Sequence, residues 1–187
     1  SRELRRLVDL TVHCFGADRD DPSVVAHSPW PQLAGAALYA PALQTLSVDL
    51  AMTAAVDGAQ LVHSHTWYAN LAGHLAKLVH GIPHVATVHS LEPMRPWKAE
   101  QLGGGYALST WCEQTALEAA DAIVAVSEEQ RRDVLGCYRA IEPDRVSVIG
   151  NGIDTHEYRP DPGTDLVESH GVDPSRASVV FVGRITR

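Results

Sequence analysis

Several things are scarce in this 187-residue chain. Phe, Trp and Tyr together make up only 6% of it, so aliphatic side chains and alanine have to fill the core. There are 3 cysteines, Cys14, Cys112 and Cys137, far apart and with no C-x-x-C pair. That excludes a disulfide framework and a zinc ribbon, and a reducing, cytoplasmic setting is the expectation. No run approaches the roughly 18 apolar residues of a membrane helix. Basic residues are outnumbered, 15 Lys and Arg against 23 Asp and Glu, for a net charge of -8. A duplex nucleic-acid binder needs a basic face to displace counterions, so no nucleic-acid partner is expected. No G-x-G-x-x-G follows a strand-like segment, and no P-loop is present. Histidine, by contrast, is plentiful, with 10 residues.

The apolar segments that are present alternate in kind. Residues 8–15 read as a strand after a short helical end at residues 2–7, and residues 16–35 read as loop. Residues 40–56 carry a helical pattern whose expected inner face is Ala42, Leu46, Leu50 and Ala54. A strand over 61–65 leads into a helix from Thr66 with Leu71, Leu75, Leu78 and Val79 as its apolar stripe, stopped by Gly81 and Pro83. Strands follow at 84–89, 122–126, 146–149 and 179–182. Residues 97–120 are mainly helical, weakened at Gly103-Gly104-Gly105. Ser127 opens a further helix as its N-cap, and a short helix lies near 166–170. Strands that are apolar throughout and alternate with helices indicate an α/β fold, a Rossmann-like doubly wound parallel sheet covered by helices.

In such a sheet ligands bind beyond the carboxyl ends of the strands. His63, Ser64, His65, Thr66 and Trp67 stand after one strand; His89, Ser90, Leu91 and Glu92 after the next; Gly183 and Arg184 after the last. Two histidine-ended strands aimed at one cleft suggest a site. His63-x-His65 with His89 is also a conceivable metal set, although no Asp or Lys completes it. His63 and His65 are expected on opposite sides of the strand, and no metal is the preferred expectation.

The ordered segments His63-Ser64-His65-Thr66-Trp67, Thr87-Val88-His89-Ser90, Ala125-Val126-Ser127-Glu128, Asn151-Gly152-Ile153-Asp154 and Val182-Gly183-Arg184-Ile185-Thr186-Arg187 resemble the amino-terminal half of retaining GT-B glycosyltransferases. These form the large family that includes bacterial glycogen synthases, and the likeness covers almost the whole chain. The stretch from His89 to Tyr106 resembles the actinobacterial type, associated with ADP-glucose and with making α-maltose 1-phosphate or extending α-1,4-glucan. The resemblance implies a GT-B protein of two Rossmann-like domains. Residues 1–175 would be the acceptor-side domain without its first strand, and 176–187 the first strand of the donor-binding domain. The chain is thus expected to be truncated at both ends and inactive by itself.

The resemblance also implies roles. His89 would act at the reaction centre. Arg184, Gly183 and His65 would bind the donor, Arg184 as a planar fork on the diphosphate. Thr66, Trp67 and Tyr106 would face the acceptor; Thr66 replaces an acid found in classical glycogen synthases. Arg95 and Lys98 would hold an anionic acceptor such as glucose 1-phosphate, an inference from their charge beside the cleft. The expected partners are ADP-glucose with glucose 1-phosphate or an α-glucan, with no cofactor and a possible homo-oligomer. Three alternatives stay open: another nucleotide-sugar and acceptor on the same fold, an HxH metal-dependent hydrolase, and a non-catalytic sugar-binding or interaction domain.

Overall fold

Two parallel sheets form. In the computed structural model, which describes residues 3–179 and 181–183, β1 (Val12–Phe15) pairs with β2 (Val24–His27), Val12 opposite Val24. The expectation of loop over 16–35 is corrected at β2. Its Val24-Val25-Ala26 run is strand-forming, but four residues are too few to show a period. The larger sheet runs β3 (Val62–His65), β4 (His84–Val88), β5 (Ala122–Ala125), β6 (Val146–Val148), every neighbour parallel. In register, Val62 faces His84, Val85 faces Ala122 and Ile123 faces Val146. Sequential parallel neighbours require crossovers, and helices supply them.

The helices are α1 (Ala40–Ala55), α2 (Trp67–His80), α3 (Lys98–Leu102), α4 (Gly104–Ala119), α5 (Glu128–Cys137) and α6 (Asp165–Ser169). α2 packs on β3 and β4, α1 and α4 pack on α2, and α5 lies on β5 and β6. Gly81 ends α2 at φ 70°, the left-handed cap. Ser127 caps α5, accepting the Gln130 amide at 3.1 Å. The main core joins Ala86, Val88, Ile123 and Ala125 of the sheet to Leu117 of α4 and Val134 of α5.

Two expected helix faces are corrected. In α1 the buried residues include Ala42, Val48, Asp49 and Met52, while Leu50 is exposed. A strict i, i+4 series advances about 40° per step on a helix of 3.6 residues per turn, so Leu50 has rotated away from the face that Ala42 occupies. In α2, Leu78 and Val79 are likewise exposed, and the buried stripe runs through Asn70, Leu71, Gly73 and Ala76. Gly73 lets α2 lie directly on β4: a Cβ there would meet His84 Nε2 at 2.3 Å.

The chain divides into two compact units, Ser1–Asn151 and Gly152–Arg187. The sheets and their helices belong to the first. The second contains α6, and its described residues are exposed. The strand expected over 179–182 is not formed at the described residues Val179, Phe181 and Val182. Among the described residues of that unit there is no other strand to complete a ladder.

Candidate functional site

The carboxyl ends of β3 and β4 bring the histidines together. Residues two apart on a strand share a face, so the expected divergence of His63 and His65 is corrected: their ring centroids lie 4.6 Å apart. His65 then stacks on His89 at 5.3 Å, and its Nδ1 is 3.0 Å from His89 Nε2. His63 Nε2 lies 2.7 Å from Thr87 Oγ1. A hydrogen bond between two ring nitrogens needs one N–H and one bare nitrogen, so at least one ring of the pair is neutral. Burial, reinforced by His63 and His89, pulls His65 down to about 4. Burial, then His89, lowers His63 as well. His63 and His65 are therefore uncharged at neutral pH and suited to hydroxyl groups.

Thr66 links the row to α2. It has φ 65° and ψ 163°, a strained setting for a β-branched residue that costs on the order of 1–3 kcal/mol. Its amide donates to Thr87 O at 3.4 Å. Its Oγ1 is buried with no hydrogen-bond partner, and so is the indole nitrogen of Trp67. Trp67 itself is a core residue at 7% exposure, packed with Ala42, Leu71 and Cys112. Buried orphan polar groups are rare, and each calls for a physical reason.

The loop after β4 carries the charge. Glu92 is fully buried, and its Oε1 accepts from Arg95 Nη2 at 2.6 Å and Lys98 Nζ at 2.7 Å. Oε2 accepts from Ser109 Oγ at 2.9 Å. Tyr106 OH donates to the Glu92 carbonyl at 2.9 Å. The Glu92 amide and Tyr138 OH both donate to Glu113 Oε1, at 2.8 and 2.5 Å. Burial pushes Glu113 up to about 7. Arg95 Nε is buried without a partner. Gly103, at φ 51°, breaks the chain between α3 and α4. Gly103 thus separates the two helices, which places Lys98 and Tyr106 on separate helices around Glu92.

Glu92, Ser109 and Glu113 were not singled out as site residues in the sequence. The only signal was Glu92's place three residues past His89. Its partners Ser109 and Glu113 come from α4, which no local pattern connects to it. Gly183 is exposed in the second unit, and Arg184 lies outside the described residues. Among the described residues no group of three or more His, Cys, Asp or Glu is placed to hold a metal ion. The ring nitrogens of His65 and His89 bond to one another, and His63 Nε2 meets Thr87 Oγ1. No helix among the described residues is long and apolar enough to cross a membrane.

Known proteins resemble this chain in sequence and in fold. The profile described as Glycosyltransferase Family 4 matches residues 1–157. An α-maltose-1-phosphate synthase of Mycolicibacterium smegmatis is 57% identical over 99% of this chain and 47% of its own length. A D-inositol 3-phosphate glycosyltransferase of Gordonia bronchialis is 34% identical over 67% of this chain and 27% of its own. The crystal structure of Anabaena HepE with UDP-glucose superposes with a TM-score of 0.51 at 19% identity, covering 79% of this chain and 35% of that one. The chain spans about half the length of the α-maltose-1-phosphate synthases it matches.

Proposed function

The chain belongs to Glycosyltransferase Family 4, and from that premise we propose that it is the acceptor-side half of a glucosyltransferase. The enzyme moves glucose, with retention, from ADP-glucose to glucose 1-phosphate or to the end of an α-1,4-glucan. One observation carries the reading: an imidazole row, His63, His65 and His89, stands at the strand ends just before a loop with two cations on one buried carboxylate. Imidazoles serve sugar hydroxyls and cations serve a phosphate, so a sugar phosphate suits the pair. The names of two sets of relatives, α-maltose-1-phosphate synthase and D-inositol 3-phosphate glycosyltransferase, each include a phosphorylated polyol.

In this reading His89 stands against the donor sugar, its Nε2 fixed by His65. A preset orientation matters because small misplacements at a reacting centre cost heavily. Thr66 faces the acceptor, and Trp67, whose ring packs in the core behind it, holds that turn in place. Arg95 and Lys98 take the acceptor phosphate, and Tyr106 supports their loop through Glu92. Gly183 and Arg184 meet the donor diphosphate, where positive charge stabilises the leaving group as the glycosidic bond breaks. The reading needs no metal and no cofactor, and it suits a cytoplasmic enzyme.

The test is ADP release by a protein of the relatives' full length that carries this chain, given ADP-glucose with and without glucose 1-phosphate. Release that requires the sugar phosphate is expected. Turnover with UDP-glucose alone would instead favour the second reading, a different nucleotide-sugar, for which the donor named in the HepE structure is the precedent.

A further inference from the structure

Two cations converge on one atom. A single carboxylate oxygen of Glu92 holds both Arg95 and Lys98. Glu113, whose charge Arg95 also influences, accepts at its Oε1 from the Glu92 amide and Tyr138 OH. Two like charges sharing one oxygen repel each other and would drift apart in solvent. They are held because their anchor is itself immobile. Glu92 and Ser109 are both 0% exposed, and Glu92 is bonded at its amide, its carbonyl and both carboxylate oxygens. The side chains of Arg95 and Lys98 stay 29% and 18% exposed, so each keeps a face for a ligand. Arg95 Nε has no partner.

We propose that Glu92 is a positioning residue that clamps Arg95 and Lys98 into a fixed pair for the phosphate of a sugar-phosphate acceptor, and so sets the preference for phosphorylated over neutral glucan acceptors. The inference rests on the acceptor reading above. It differs from an ordinary structural ion cluster, which would affect both acceptors alike. It also differs from simple charge balance, under which removing the carboxylate leaves more positive charge and tightens phosphate binding.

The experiment uses a protein of the relatives' full length that carries this chain, in wild-type, Glu92→Gln and Ser109→Ala forms. KM and kcat are measured for glucose 1-phosphate and for a maltooligosaccharide, with inorganic phosphate as competing ligand. In Glu92→Gln, KM for glucose 1-phosphate and the inhibition constant of phosphate rise about tenfold, the worth of a charge-assisted hydrogen bond that orders a cation. KM for the maltooligosaccharide and kcat hold. Ser109→Ala, which loosens only Oε2, shifts the same constants roughly threefold. Equal weakening toward both acceptors, unchanged constants or tighter phosphate binding would overturn the clamp. If Glu92→Gln melts, unchanged selectivity in Ser109→Ala overturns it alone. Wild-type protein that ignores glucose 1-phosphate, yet binds phosphate less well once Glu92 is changed, would overturn the acceptor reading and support the clamp.

Discussion

Asp49 is a carboxyl group with nothing to hold it. It lies on α1 at 0% exposure, and neither oxygen has a hydrogen-bond partner. Burial outweighs the favourable approach of the Ala72 amide and pushes its carboxyl up from an ordinary 3.8 to about 8. Across the interval between those values the unfolded chain is ionised at Asp49 while the folded chain keeps the proton. The contribution is therefore fully present below 3.8 and is lost as pH rises toward 8. Each pH unit inside the interval removes about 1.4 kcal/mol, so going from pH 5 to pH 7 removes about 2.7 kcal/mol. Asp49→Asn has nearly the shape of the neutral acid and does not titrate. Urea unfolding of both proteins at the two pH values isolates the effect, since the other titrating groups are common to both. The stability difference should move in favour of Asn by about 2–3 kcal/mol, opening the midpoints by roughly 1 M. A difference that stays constant between pH 5 and pH 7 would refute the buried, neutral carboxyl.

Two other changes probe packing and strain. Gly73→Ala drives a methyl to within 2.3 Å of His84 Nε2, on a buried ring bonded to Ser64 Oγ at 2.7 Å; even after the helix gain it should destabilise by about 2 kcal/mol, and an unshifted urea midpoint would contradict that contact. Thr66→Gly relieves the positive φ and should stabilise by about 1 kcal/mol while weakening acceptor binding; a loss of stability would show that the Thr66 backbone is not strained.

The order of the fold was legible because short β-branched and apolar segments such as Ala122–Ala125 alternate with helical patterns and are bounded by Gly, Pro or a polar cap. Ser127 as N-cap and Gly81 as helix stop are local signals, and the structure places both there. β2 was hidden by its brevity. The faces of α1 and α2 were misjudged because apolar spacing alone does not say which neighbours arrive: α1 buries Asp49, Thr45 and Ser47. At the site, the imidazoles could be read from strand ends, but their mutual hydrogen bond could not. The anchoring of Arg95 and Lys98 was invisible for the same reason, since Ser109 and Glu113 meet Glu92 only once α4 has folded back beside it.

The most direct test of the central claim is the structure of the product. A protein of the relatives' full length that carries this chain is incubated with ADP-glucose and glucose 1-phosphate, and the product is examined by proton and phosphorus NMR. The account predicts a disaccharide that keeps its phosphate and carries a new α-linkage, with ADP released in equal amount. A β-linked product, or free glucose with the glucose 1-phosphate left untouched, would contradict it.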